Sequence, residues 1–242
     1  MAKIGIMQPY FFPYIGYYSL IAHTDQFILF DVVQFIRHGW IERNRTLKPQ
    51  EGWQYVSVPL EKFTLGTKIQ DVKIRQSEDW REKLIRQLDH YKKRAPFYKD
   101  ALDTIKEALD IETTNISHLN KNILEKTCQY IGIPANFQIF SEMDLKIDPV
   151  THPGEWALNI SKSIGALEYI NPTGGVEIFD QRQFDQAKIK LSFMGNNLPN
   201  YPQRRPTFEI GLSIIDVMMF NSPEQIRVMS QDIFYLQDIE IK

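Results

Sequence analysis

The chain has 242 residues, 43% of them hydrophobic, enough to bury a substantial core without covalent staples. A formal net charge of −2 argues against a broad nucleic-acid surface, and no run of about 18 apolar residues suggests a membrane span. The single cysteine, Cys128, excludes an intrachain disulfide and a four-thiolate zinc site.

The first residues, Met1 to Pro9, hold an apolar stretch too short for a secretory signal and broken by proline, so the cytoplasm is the expected compartment. Ile4 to Met7 suits a short buried strand. Tyr17 to His23 reads as a short helix and Phe27 to Asp31 as a second buried strand, a βαβ unit with parallel strands. Trp53 to Val58 alternates and stops at Pro59, as a strand does. The middle is helical. Trp80, Leu84, Leu88 and Tyr91 share one stripe. Pro96 opens a helix carrying Ala101, Ile105 and Leu109. Ile116, Leu119, Ile123, Thr127 and Ile131 lie on a third helix, with Cys128 on its apolar face and Gly132 as its stop. Phe137 to Ser141 reads as a strand. Pro153 opens a fourth helix, with Trp156, Ile160 and Ile164 inward and Gly165 at its end. Lys188 to Met194 is a strand, Gly195 to Pro206 a loop, and Leu212 to Phe220 an apolar helix. Ser222-Pro223-Glu224-Gln225 has the residues of a capping box. The expected fold is α/β: a small, mostly parallel N-terminal sheet, a helical middle layer and a mixed α/β C-terminal part. It forms one domain over residues 1–242, with room for a helical sub-lobe at about 78–132.

Four segments stand out as site candidates. In Gln8-Pro9-Tyr10-Phe11-Phe12-Pro13-Tyr14-Ile15-Gly16-Tyr17 a strand end leads through a turn into a helix start, where α/β proteins place ligands. Six rings in nine residues, from Tyr10 to Tyr18, exceed what packing usually needs. Asp31 ends the second strand, which brings it to the same sheet edge as Gln8. The loop after it carries Gln34, Arg37, His38, Trp40, Arg43, Asn44 and Arg45, cations suited to a phosphate or carboxylate. Asn171-Pro172-Thr173-Gly174-Gly175 offers adjacent glycines for close backbone approach or an ordinary turn. Ser213, Asp216 and Asn221 flank an apolar run in which a carboxylate is costly to bury without a partner. His23, His90 and His152 read as surface residues and His118 as a satisfied helix histidine. No metal site is expected, since no HxxxH pair is present. The absence of Walker, GxSxG and GxGxxG motifs speaks against a P-loop NTPase, an α/β-hydrolase and a Rossmann dehydrogenase.

Met7-Gln8-Pro9 with Phe12-Pro13-Tyr14-Ile15-Gly16-Tyr17, then Phe30-Asp31, Gln34, Trp40 and Arg43-Asn44-Arg45, resemble the WbqC-like protein family. The likeness continues through Ile164-Gly165-Ala166, Tyr169, Asn171-Pro172 and Gly174-Gly175 to Leu212-Ser213-Ile214-Ile215-Asp216 and Phe220-Asn221. Ile41-Glu42 departs from the more neutral link expected before the Arg-Asn-Arg run. The resemblance implies a role in bacterial surface-polysaccharide (O-antigen) biosynthesis, as a transferase placing an aminoacyl group, such as glycyl, on the amine of a nucleotide-linked amino sugar. Under it, Asp31 serves as general base or positions a metal or the amine, Gln8 or Asn44 stabilises the oxyanion, and Asp216 orients a second group. Arg43 and Arg45 hold the diphosphate and Tyr14 and Tyr17 contact donor or nucleotide. Gln34, Trp40, Asn171, Gly174, Gly175 and Ser213 complete the substrate-binding set. The implied co-substrate is ATP or an acyl thioester on a carrier. The rival reading is a non-catalytic nucleotide-sugar or glycan binding protein that assists a glycosyltransferase. Pro13-Tyr14-Ile15-Gly16-Tyr17 is also remotely similar to the P-x-H-x-G-H signature of nucleotidyltransferases, one residue short and with tyrosines for both histidines.

Overall fold

The computed structural model describes residues 2–76 and 79–236. The expected start of the helical sub-lobe, at residue 78, lies outside the described residues. The first strand, β1 (Lys3–Met7), sends Ile4 and Ile6 into a smaller apolar cluster. The period of two turns its neighbours Gly5 and Met7 to the opposite face. Pro13 breaks the chain and Tyr14 stays extended, so α1 starts at Ile15 and runs to Ala22, two residues ahead of the expected start. Next comes β2 (Gln26–Leu29), which pairs parallel with β1 in the register Ile4 to Gln26.

Residues 30–136 form one long excursion between β2 and the sheet edge. It holds a two-stranded antiparallel hairpin, β3 (Arg43–Leu47) and β4 (Trp53–Ser57). Three helices follow, α2 (Trp80–Leu88), α3 (Tyr98–Leu109) and α4 (Ile116–Ile131). Gly132 ends α4 with a φ of 79°, a left-handed conformation that suits glycine. Cys128 is buried on α4, and burial pushes its thiol pKa up. The chain then reaches β5 (Phe137–Ile139), beside β2. It crosses to the other side of β1 through α5 (Glu155–Ser163) and β6 (Glu168–Pro172). The helix α6 (Gln181–Gln186), β7 (Lys190–Asn196), α7 (Ile214–Phe220), α8 (Pro223–Gln231) and β8 (Ile233–Tyr235) complete the fold. The capping box at Ser222 forms, with Ser222 and Gln225 bonding reciprocally.

The main sheet is ordered β5-β2-β1-β6-β7-β8, parallel up to β7, with β8 antiparallel at one edge. The fold is thus α/β with a mostly parallel sheet, and the C-terminal strands extend the N-terminal ones. Helices α1, α3, α4, α7 and α8 bury one face together with Phe27, Leu29 and Met194. Helices α5 and α6 cover the other through Leu158, Ile160 and Phe184. Strand order reverses between β1 and β6, and in such sheets the reversal opens a crevice at the carboxyl ends of the strands.

Candidate functional site

A cleft of about 720 Å³ opens at that reversal. Gln8, one residue past β1, lines it, as do Phe30, Val33, Gln34 and Ile36 after β2. Tyr169 of β6 forms part of the floor, and the opposite wall comes from Thr151, His152, Pro153 and Trp156 at the start of α5, with Ile178 and Phe179. Phe30 packs edge-on against Trp156 at 5.2 Å between centroids. No lysine, arginine, aspartate or glutamate is among the described lining residues. The described surface is therefore aliphatic side chains and aromatic rings, with two carboxamides, the Thr151 hydroxyl and one imidazole. Rings present C–H-compatible faces and carboxamides both donate and accept.

Of the residues singled out from sequence, Gln8 and Gln34 line this cleft. Asp31 lies just behind it. Its carboxylate is buried and accepts from the Ser141 amide at 3.1 Å and the Ser141 hydroxyl at 2.8 Å, tying the ends of β2 and β5 together. Burial raises its pKa, opposed by these two bonds. Asn171 also stands one layer back. It accepts from the Tyr169 hydroxyl at 2.7 Å, and a side chain at Gly175 would collide with its amide. Gly174 is exposed beside them.

The rest of the N-terminal loop turns away from the cleft: among the described residues none from Pro9 to Tyr17 lines it. The loop is clamped from behind instead. Phe12 is fully buried with φ at +39°, a strained conformation for a bulky residue. Its carbonyl accepts from Asn44 Nδ2 at 3.0 Å and from the Ser213 hydroxyl at 2.7 Å, while Asn44 also serves the Phe11 carbonyl at 3.1 Å. Asn120 of α4 donates to the carbonyls of Pro9 at 2.8 Å and Ile41 at 2.9 Å. Ser213 further caps α7 and pairs with Tyr14. The start of α1 is thus occupied by Tyr14, whose ring covers Gly16, and does not face the cleft. Tyr17 is buried, its hydroxyl donating to the Gln8 carbonyl at 2.8 Å.

The cations expected in one loop after Asp31 are divided by a strand, because Arg43 and Arg45 lie in β3. Alternation turns Asn44 and Thr46 inward and both arginines outward. Arg43 stacks on Tyr55 at 3.9 Å and donates to the His38 carbonyl. Arg45 lies near Trp53 at 5.2 Å and the half-exposed Trp40 at 5.7 Å, and donates to the Gly211 carbonyl at 3.1 Å. These groups and Tyr14 form a separate surface beside the hairpin. Asp216 is in the core, accepting from Tyr91 at 2.5 Å, Tyr201 at 2.7 Å and Gln203 at 3.2 Å. Burial raises its pKa to about 6, against the pull of those three donors.

Sequence reading placed His152 on the surface and gave it no part in the site. It is exposed, and it lines the cleft. The signal in the sequence is the run His152-Pro153-Gly154-Glu155, a histidine three residues ahead of a carboxylate. His90 differs from its expected surface position too: it is half-buried, stacked on Tyr91 at 4.4 Å.

The sequence model of the WbqC-like protein family matches residues 8–228. The chain belongs to this family. The uncharacterized protein Rv1507c of Mycobacterium tuberculosis is 29% identical over 238 residues, covering 96% of this chain and all of the relative. No solved structure matches the chain. The matched span of this WbqC-like protein takes in both cleft walls and the clamp residues Asn44, Asn120 and Ser213. Among the described residues no helix is long and apolar enough to cross a membrane, and no group of three or more His, Cys, Asp or Glu is placed to hold a metal.

Proposed function

We propose that this WbqC-like protein transfers an aminoacyl group, such as glycyl, to the amine of a nucleotide-linked amino sugar in bacterial surface-polysaccharide biosynthesis. The sugar occupies the cleft at the β1–β6 reversal. The observation that carries the reading is the chemistry of that cleft: Trp156 and Phe30 offer ring faces to the C–H side of a pyranose, and Gln8 and Gln34 reach its hydroxyl or amide groups. An uncharged lining suits a neutral ring better than a diphosphate, so the phosphates lie outside the cleft. The acyl group arrives activated, as a carrier thioester or an acyl-adenylate made from ATP. Asp31 acts through Ser141 in holding the strand ends in place. The test is incubation with a nucleotide-linked amino sugar, glycine and ATP, or a glycyl thioester, and mass analysis of the sugar. A glycyl adduct is expected. Its absence across a panel of donors, with sugar binding intact, sinks the reading.

One observation favours a second reading, a nucleotide-sugar or glycan binding protein assisting a glycosyltransferase. Among the described lining residues there is no carboxylate to act as a base. Both readings expect Trp156→Ala to weaken sugar binding roughly tenfold or more, and only the first expects a covalent product.

A further inference from the structure

We propose that His152 is a catalytic residue of the transfer reaction, and that it acts as an N–H donor to the acyl oxyanion and not as a base. The inference rests on the transferase reading above and names the group that would perform it. Three observations carry it.

First, His152 is one of two titratable side chains of the described cleft lining, and its Nε2 is left to serve a reacting carbonyl. Tyr169, the other titratable group there, spends its hydroxyl on Asn171. Second, the Gly154 amide donates to His152 Nδ1 at 3.2 Å. An accepting Nδ1 carries no proton, so the neutral ring carries its hydrogen on Nε2. Third, the turn that presents the ring is built. The Glu155 carboxylate accepts from the Thr151 amide at 2.6 Å, the His152 amide at 3.0 Å and the Thr151 hydroxyl at 3.0 Å. Gly154 presses on the neighbouring strap, where any side chain would collide with the Ile178 carbonyl.

His152 also lines a second cavity of about 340 Å³, bordered by Glu155, Glu177, Asp180 and Arg182. The ring therefore stands where an acyl donor from one side meets the sugar from the other. The sugar's neutral amine attacks the acyl carbonyl carbon, and the carbonyl π pair moves onto oxygen. Nε2–H donates to that oxyanion, as one of the preorganised donors on which acyl transfer depends. The C=O bond then re-forms, and the bond to sulfur or to the adenylate oxygen breaks. The electron pair leaves with the thiolate or AMP, and the surplus ammonium proton passes to solvent.

The experiment uses the full chain and two readouts. The probe is aminomethylphosphonate, a tetrahedral anionic analogue of the attacked glycyl group. Imidazole 15N spectra of the wild type are expected to show His152 unprotonated at Nδ1 and protonated at Nε2, with the Nε2–H resonance moving when the probe binds. His152→Phe is expected to weaken probe binding roughly tenfold and lower kcat of glycyl transfer roughly 100- to 1000-fold. His152→Gln, which restores an N–H, recovers most of both. A proton on Nδ1, a wild type that does not bind the probe, or a Phe variant that binds or turns over like the wild type overturns the donor role and leaves the transferase reading standing. The expected spectra and probe binding without any glycyl transfer leave the donor site standing and remove the transferase reading.

Discussion

The two walls of the cleft are held by opposite means. The loop from Gln8 to Tyr17 is pinned by buried amides and a buried hydroxyl: Asn44, Asn120 and Ser213 are each at most 4% exposed and together take the carbonyls of Pro9, Phe11 and Phe12. The facing turn, Thr151 to Glu155, is held by one carboxylate at the surface. Buried donors that lose their acceptors cost far more than exposed ones, so the first wall is rigid and the second is cheap to move. The difference assigns the walls different work. The clamped loop fixes Gln8 and holds Phe12 in a strained conformation, while the facing turn presents His152 to the cleft.

The sharpest way to break this contrast is to remove the clamp. Asn120→Ala strands two buried carbonyls and is expected to destabilise the fold by about 3 kcal/mol, lowering Tm by roughly 6–12 °C. Thermal melts check it, and an unchanged Tm shows that the loop is not held from behind. Asn44→Ala should cost somewhat less, about 2 kcal/mol, because Ser213 still serves the Phe12 carbonyl.

The clamp also shows what sequence could and could not reveal. The density of rings between Tyr10 and Tyr18 marked the loop, and Asn44 and Ser213 were singled out with it. Their role was not legible, because a side chain that holds a strained backbone from behind looks, in sequence, like one that reaches a ligand. β3 looks like loop in sequence because its alternating inward positions are the polar Asn44 and Thr46, with Leu47 the one apolar buried residue at its end. β6 went unassigned for a related reason: Glu168-Tyr169-Ile170-Asn171-Pro172 is buried at its centre but ends on polar residues and a proline. One wall of the cleft was legible in Gln8 and Gln34, and the facing wall was not. Gln8, Gln34, His152 and Phe179 meet only because the strand order reverses between β1 and β6.

Asp216 supplies a second contrast, between buried and exposed carboxylates. Its folded pKa is raised to about 6 by burial, so the ionised form is the costly one. Its contribution to stability is therefore best below the ordinary carboxylate pKa and is lost as pH rises from about 4 through 6, by about 3 kcal/mol. Asp216→Asn removes this dependence. Urea unfolding at pH 4 and pH 7.5 should show the wild type losing ground to the variant at the higher pH. Parallel pH profiles would mean that Tyr91, Tyr201 and Gln203 fully compensate the buried charge.

Glu155 behaves in the opposite sense and gives the smallest effect. Its pKa is lowered, first by the Thr151 amide and then by the His152 amide, so the turn is held above the ordinary carboxylate pKa and released as pH falls through the lowered one. The carboxylate is at the surface, where solvent screens such bonds, so Glu155→Gln should leave Tm nearly unchanged. What should change is local. Hydrogen exchange at the Thr151 and His152 amides should accelerate at neutral pH, while the amides of Phe12 and Tyr14 keep their wild-type rates. Acceleration on both walls together would mean that the cleft opens as one unit, and the division of labour between a clamped loop and a movable turn would fall.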